Sequence, residues 1–337
     1  MKKRIDVAKI ISNLISAPIC FGQKRKIVRK KIYRLLSKEH ISDSNKEEII
    51  ANEIENKYLS IVDSIRYGSS DEKNQPKIVW QYWAQGDKCL PKIVKICMNT
   101  VYYHFKQAGY QVICLNDESV NKYLNIDEHF LQMARLNRHG YSYASYSDLL
   151  RCGLLYKYGG IWIDATVLIS NVPYELLNNE RVFFERSGEV GKLDRLKYRL
   201  YSDYFRWGAG VRVNWLSSII KAPKGDPLFG MLWDILNKYW LNEQFYRHYF
   251  LCHIIFDQIK NRGNLLKNYK YISISDTFPH DLQMLLSSDI NKVKLKVDNI
   301  LRYPIHKLTY KIDDSALLDR DSVFNLSLIH ISEPTRP

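Results

Sequence analysis

Apolar positions recur at helical spacing through the first sixty residues and at strand-like spacing beyond them. Residues 5–19 place Val7, Ile10, Ile11, Leu14 and Ile15 on one helical face, with Pro18 ending the run. Residues 24–38 repeat the arrangement with Ile27, Val28, Ile32, Leu35 and Leu36. A third helix is predicted over 44–66, where Ile49, Ile50, Ile54, Leu59 and Ile61 alternate with Glu and Lys. The polar, turn-rich stretch 68–76 then marks a boundary. After it, KIVWQY (77–82), QVICL (111–115) and 161–167 read as strands. Helical runs at 93–105, near 118–124, 127–136 and 143–158 lie between them. Such alternation predicts an α/β fold with a mostly parallel sheet flanked by helices. Further strands are expected at 182–184, 210–213 and 271–274, and further helices at 226–240 and 246–260.

Charge changes this picture at one end only. The chain of 337 residues carries 50 Lys+Arg against 36 Asp+Glu, a net +14. Residues 1–38 hold twelve basic side chains and one acid, so +11 of that excess sits there and the other 299 residues carry +3. A duplex-binding domain would carry its basic stripe on the folded body, so no nucleic acid is expected as a partner. The two N-terminal helices instead read as basic and amphipathic, suited to an anionic membrane surface. A helical hairpin packed on the body with its basic face in water is the other reading of the same pattern. Six cysteines show no CxxC or metal-finger spacing, and the N-terminus makes a poor signal peptide. These point to the cytoplasm, at the inner face of its membrane.

The chemistry concentrates in YSDLLRCGLLYKYGGIWIDATV at 146–167. Asp148 and Arg151, three apart, share a helix face. Gly159-Gly160 ends that helix and turns directly into an apolar strand, which terminates at Asp164-Ala165-Thr166. A carboxylate at the carboxyl end of a central strand lies where open α/β sheets bind ligands, and it is costly unless paired or metal-bound. Oxygen ligands there suit Mn²⁺ or Mg²⁺. Taken alone, each feature has a plainer reading: Asp148–Arg151 as a helix ion pair, Asp164 as a turn cap, and Trp80, Tyr82 and Trp83 as core aromatics, the reading preferred for the last two. His248, His253 and Asp257 share a helix but lack the HExxH spacing of a zinc site.

PKIVWQYWAQG at 76–86 and SDLLRCGLLYKYGGIWIDATV at 147–167 resemble the bacterial capsular polysaccharide synthesis family, related to glycosyltransferase family 32 with its DXD motif. The similarity spans roughly 75–290 and implies a GT-A-like fold and a nucleoside diphosphate sugar donor, a UDP-sugar being favoured. It also implies a divalent metal and retention of anomeric configuration. On this likeness Asp148, Arg151 and Asp164 are the catalytic and donor-gripping residues. Trp80 is expected to stack on the nucleobase and Gln81 to contact its edge. Asp164 is expected to hold the metal, with Thr166 standing where a second aspartate usually sits and His280 as a further ligand. The loop 207–210 is expected near the acceptor, a glycan or lipid-linked glycan. The expected activity is hexosyl transfer to a growing capsular or other surface polysaccharide; the alternative is a non-catalytic, membrane-attached scaffold on the same fold.

The expected organisation is therefore amphipathic helices at 1–42, a helix and linker at 43–75, the transferase domain at 76–325 and a foreign tail at 326–337. The tail is set apart because 326–336, LSLIHISEPTR, is similar to a translated transposase sequencing adapter.

Overall fold

The computed structural model describes residues 39–64, 67, 75–262, 266, 269–311 and 322–324. The expected basic helices at 1–38 and the tail at 326–337 lie outside the described residues.

The main sheet has six strands in the order β2-β1-β3-β6-β5-β7. They are β1 (Ile78–Tyr82), β2 (Gln111–Leu115), β3 (Gly160–Ile163), β5 (Val182–Glu185), β6 (Ile219–Ala222) and β7 (Ile272–Ser275). β1 pairs in parallel with β2 and β3, and β5 pairs in parallel with β7. β6 runs antiparallel to both β3 and β5. A second, two-stranded sheet joins β4 (Val167–Ile169) to β8 (Ile305–Lys307) in antiparallel register.

Two corrections to the expected strands follow. The single strand expected over 161–167 is broken: β3 ends at Ile163, a turn closed by Val167 N–H donating to the Asp164 carbonyl intervenes, and β4 departs into the second sheet. No strand forms at 210–213, where Gly210 adopts a φ of 78° in a loop. Sequence periodicity is blind to the first break because residues on both sides of Asp164 are equally apolar and buried.

Helix α1 (Glu39–Lys57) and the short α2 (Leu59–Ser64) replace the one helix expected over 44–66. α3 (Lys92–Gln107), α4 (Glu128–Leu136) and α5 (Tyr143–Tyr158) follow, then α6 (Tyr174–Asn178), α7 (Lys192–Tyr201), α8 (Pro227–Asn242), α9 (Leu251–Asn261) and α10 (Ile290–Leu301). α5 lies on β1, β3 and β6 and packs against α8, while α3 packs on β2 and β4. α1 is tied to the body by a buried ion pair between Glu47 and Arg206, and by Gln258 donating to the Ala51 carbonyl at 2.6 Å. Removing one member of such a buried pair costs about 3–5 kcal/mol, because the other charge is left stranded.

α5 begins at a capping box in which Ser142 and Ser145 satisfy each other's backbone N–H groups. It ends at Gly159 (φ 70°), and Gly160 (φ 99°) starts β3 at once. A Cβ on Gly159 would stand 2.4 Å from the Lys224 nitrogen, and one on Gly160 would stand 2.5 Å from the Ile78 carbonyl oxygen. Only glycine permits both the left-handed backbone and this approach. The pair therefore fixes how α5 and β3, which carry the chemical side chains, sit relative to each other.

Candidate active site

β1, β2 and β3 are parallel, so their carboxyl ends share one edge, and Asp164 follows directly after β3. Its N–H donates to the Ser218 carbonyl at 2.9 Å, extending the β3–β6 ladder by one step. α5 brings Ser147, Asp148 and Arg151 to the same edge. Arg151 donates through Nη1 to Asp148 Oδ1 at 2.6 Å and to the Ser217 hydroxyl, and through Nη2 to Asp164 Oδ1 at 3.2 Å and Ser147 Oγ at 3.1 Å. Its guanidinium also lies over the Trp162 ring, 5.2 Å from the centroid. Trp162 Nε1 donates to Asp164 Oδ1 at 2.8 Å. Lys307, from β8, donates to Asp164 Oδ2 at 3.0 Å and to Thr166 Oγ1 at 2.6 Å.

Asp148, Arg151, Asp164 and Thr166 are thus brought together. Asp148 and Arg151 are buried, whereas the Asp164 and Lys307 side chains keep 21% and 19% exposure and form the accessible part of the cluster. The two acids titrate apart. Burial pushes Asp148 up to about 6, against the pull of Arg151 and with a further push from Asp164. Burial acts on Asp164 in the same direction, but Lys307 and Arg151 together outweigh it and hold that carboxyl down to about 2. Such a cluster offers carboxylate acceptors for sugar hydroxyls and cationic donors for phosphate oxygens in one partly open site.

Three expected residues make no hydrogen bond to this cluster among the described residues, although the turn that carries His280 packs on β8. Trp80 is 1% exposed; its Nε1 donates to the Gly159 carbonyl at 2.9 Å and its ring packs against Tyr123 and Tyr158. As placed it is a core residue, the plainer of the two readings the sequence offers for it. Gln81 is fully buried; its Oε1 faces Cys114 Sγ at 3.7 Å and its Nε2 has no partner among the described residues. His280 is buried beside Tyr204 and Phe205, with Nδ1–H donating to the Asp276 carbonyl at 3.0 Å. Burial pushes its pKa down to about 3. Tyr82, read as a core aromatic, is buried and donates its hydroxyl to Asp117 at 2.5 Å. Arg135 also bonds Asp117, at 3.0 Å, just past the end of β2.

The expected divalent cation can be tested against this donor set. Mn²⁺ and Mg²⁺ favour carboxylate oxygens. Asp164 and Thr166 supply one carboxylate and one hydroxyl, and both already accept from the Lys307 ammonium. Among the described residues no three His, Cys, Asp or Glu side chains gather into a group able to hold an ion. These residues do not fit a resident divalent metal.

Lys307, Ser147 and Ser217 were not singled out by sequence reasoning. Nothing local distinguishes Lys307 within a chain of 50 Lys and Arg residues, and its partner Asp164 lies 143 positions away. Ser147 stands next to Asp148, the only hint the sequence offered for it.

The family model "Capsular polysaccharide synthesis protein" matches residues 29–326. No curated protein matches the chain. The solved structure of PaToxG Glycosyltransferase superposes with a TM-score of 0.36 at 10% identity, covering 85% of this chain and 96% of that one. Likeness at that level speaks to neither activity nor substrate. Among the described residues no helix is long and apolar enough to cross a membrane.

Proposed function

The chain belongs to the capsular polysaccharide synthesis protein family, and from that premise we propose that it is a glycosyltransferase. It transfers a hexosyl-type sugar from a nucleoside diphosphate sugar, UDP-sugars foremost, to a growing capsular or other cell-surface glycan, free or lipid-linked. The observation that carries this reading is Arg151, buried between Asp148 and Asp164 at the carboxyl edge of the parallel strands. The acids accept from sugar hydroxyls and so orient the ring. Arg151 and Lys307 offset the charge that grows on the departing diphosphate.

Both acids are engaged by cations, which makes them weak nucleophiles and favours a same-face transfer with retention. The acceptor hydroxyl attacks the anomeric carbon on the side from which the diphosphate leaves. The bond from that carbon to phosphate oxygen breaks, the bond to the acceptor oxygen forms, and the hydroxyl proton passes to the departing phosphate. The basic segment 1–38 supports a place at the anionic inner face of the cytoplasmic membrane.

The test is a hydrolysis and transfer screen of the full chain against UDP-, GDP-, dTDP- and ADP-sugars. Turnover of one donor that is lost in Asp164→Ala supports the reading. Full activity in Asp164→Ala, or binding of a donor with no turnover in any combination, overturns it; the latter is what a scaffold would show.

A further inference from the structure

We propose that the Lys307 ammonium takes the place of a divalent cation at the acidic strand end, so that this chain binds the diphosphate of its donor without metal. The inference rests on the nucleoside diphosphate reading above and says how the charge of that group is met.

Lys307 is held in place by its backbone as well as by its charge. β8 pairs with β4 so that Lys307 stands opposite Val167, and the Leu308 N–H donates to the Thr166 carbonyl at 2.9 Å. On either side, Ile305 is fully buried and the His306 ring nitrogen lies 2.9 Å from Ser170 Oγ. The Lys307 main chain is therefore locked beside Thr166, and its side chain has only to span the turn to reach Asp164. The ammonium then sits between Asp164 Oδ2 and Thr166 Oγ1, the two oxygens that the sequence offers to a metal.

The charge balance at this point disfavours an added ion. Thr166 is neutral, so the strand end carries one negative charge, and Lys307 already neutralises it. A divalent cation would have to displace the ammonium or share a single carboxylate with it against like-charge repulsion. An ammonium has three N–H donors, and two are spent on Asp164 and Thr166. The third remains for a ligand, and the partial exposure of Lys307 leaves it reachable. A compact ammonium is a fitting partner for a phosphate oxygen.

Calorimetric binding of UDP, GDP, dTDP and ADP to the full chain, in EDTA and in Mn²⁺, tests the proposal. At least one diphosphate should bind in EDTA with a Kd within about twofold of that in Mn²⁺. The protein alone should leave the free-ion electron paramagnetic resonance signal of Mn²⁺ unchanged. Lys307→Met should weaken binding in EDTA at least tenfold, and Lys307→Arg should recover most of the loss. Binding that appears only with Mn²⁺, quenching of the Mn²⁺ signal by the protein alone, or unaltered affinity in Lys307→Met overturns the proposal while leaving the donor reading intact. Binding of no diphosphate in either buffer overturns the donor reading and this inference with it. The comparison of EDTA with Mn²⁺ uses the unmodified chain, so it stands even if Lys307→Met fails to fold.

Discussion

Asp148 and Asp164 hold the two arms of one guanidinium: Arg151 Nη1 bonds the first at 2.6 Å and Nη2 the second at 3.2 Å. The two acids nevertheless differ in their remaining partners. Asp164 gains Trp162 Nε1 and Lys307, whereas Asp148 has Arg151 alone to set against its burial. One acid is therefore permanently charged and the other is poised near neutrality.

Asp148 consequently sets an acid limit. With its carboxyl pushed up to about 6, kcat/KM should fall about tenfold per pH unit below that point as the group takes up a proton. The sign for stability is the reverse. An acid whose folded pKa is raised favours folding while protonated, and that contribution is lost as pH rises from about 4 to about 6. At pH 7 ionised Asp148 therefore opposes folding by about 3 kcal/mol. Asp148→Asn should lose the activity and also flatten this slope. Urea denaturation of both proteins at pH 4.5 and pH 7 checks the prediction: the stability advantage of the wild type over the variant should shrink toward pH 7.

Arg151→Lys keeps the charge and removes the fork. A single ammonium cannot serve Asp148, Asp164, Ser147 and Ser217 together. With the donor found by screening, kcat/KM should drop on the order of 100-fold, while near-ultraviolet circular dichroism stays native. Retained turnover would show that bridging the two acids is unnecessary.

Trp80 offers the opposite outcome. Its ring is enclosed and its indole N–H is spent on the Gly159 carbonyl. Trp80→Phe should leave diphosphate Kd within about twofold and cost about 1–3 kcal/mol of stability for the carbonyl left unsatisfied. Nucleotide titration and chemical denaturation together read both effects; a large rise in Kd with stability unchanged would restore a base-stacking role.

Gly160→Ala tests the turn that joins α5 to β3. The new methyl would meet the Ile78 carbonyl at 2.5 Å on a backbone with φ 99°. Destabilisation of at least about 2 kcal/mol is expected from the strained backbone and the clash. The shift in urea midpoint measures it.

Much of this architecture is legible in the chain itself. Ile78–Tyr82 and Gln111–Leu115 are short apolar runs bounded by turn formers, and they form strands where expected. Ser142 and Gly159 bracket α5 as caps should. Asp148, Arg151 and Asp164 meet because local spacing and the glycine pair dictate it. What stays hidden is of longer range. β6, which carries Ser218 and Ser217 to the site at its entry, lies in a run with no clear period, Trp215 to Ala222 being buried throughout. β8 is three residues long, too short for any pattern to announce it. The basic α7 was likewise not expected, although Leu193, Leu196 and Leu200 keep helical spacing; the fold buries only one of its residues, Tyr198.

The pairing of β4 with β8 also orders events in time. Asp148, Arg151 and Asp164 leave the ribosome within a short stretch, but the ammonium that completes their cluster emerges 143 residues after Asp164. Closing so long a loop is slow and depends on the intervening sheet having formed. A nascent or truncated chain that stops short of residue 305 would hold the acids and the arginine without Lys307. Under the proposed function, such a chain is expected to lack the Lys307 contacts to Asp164 and Thr166 and to turn over no donor.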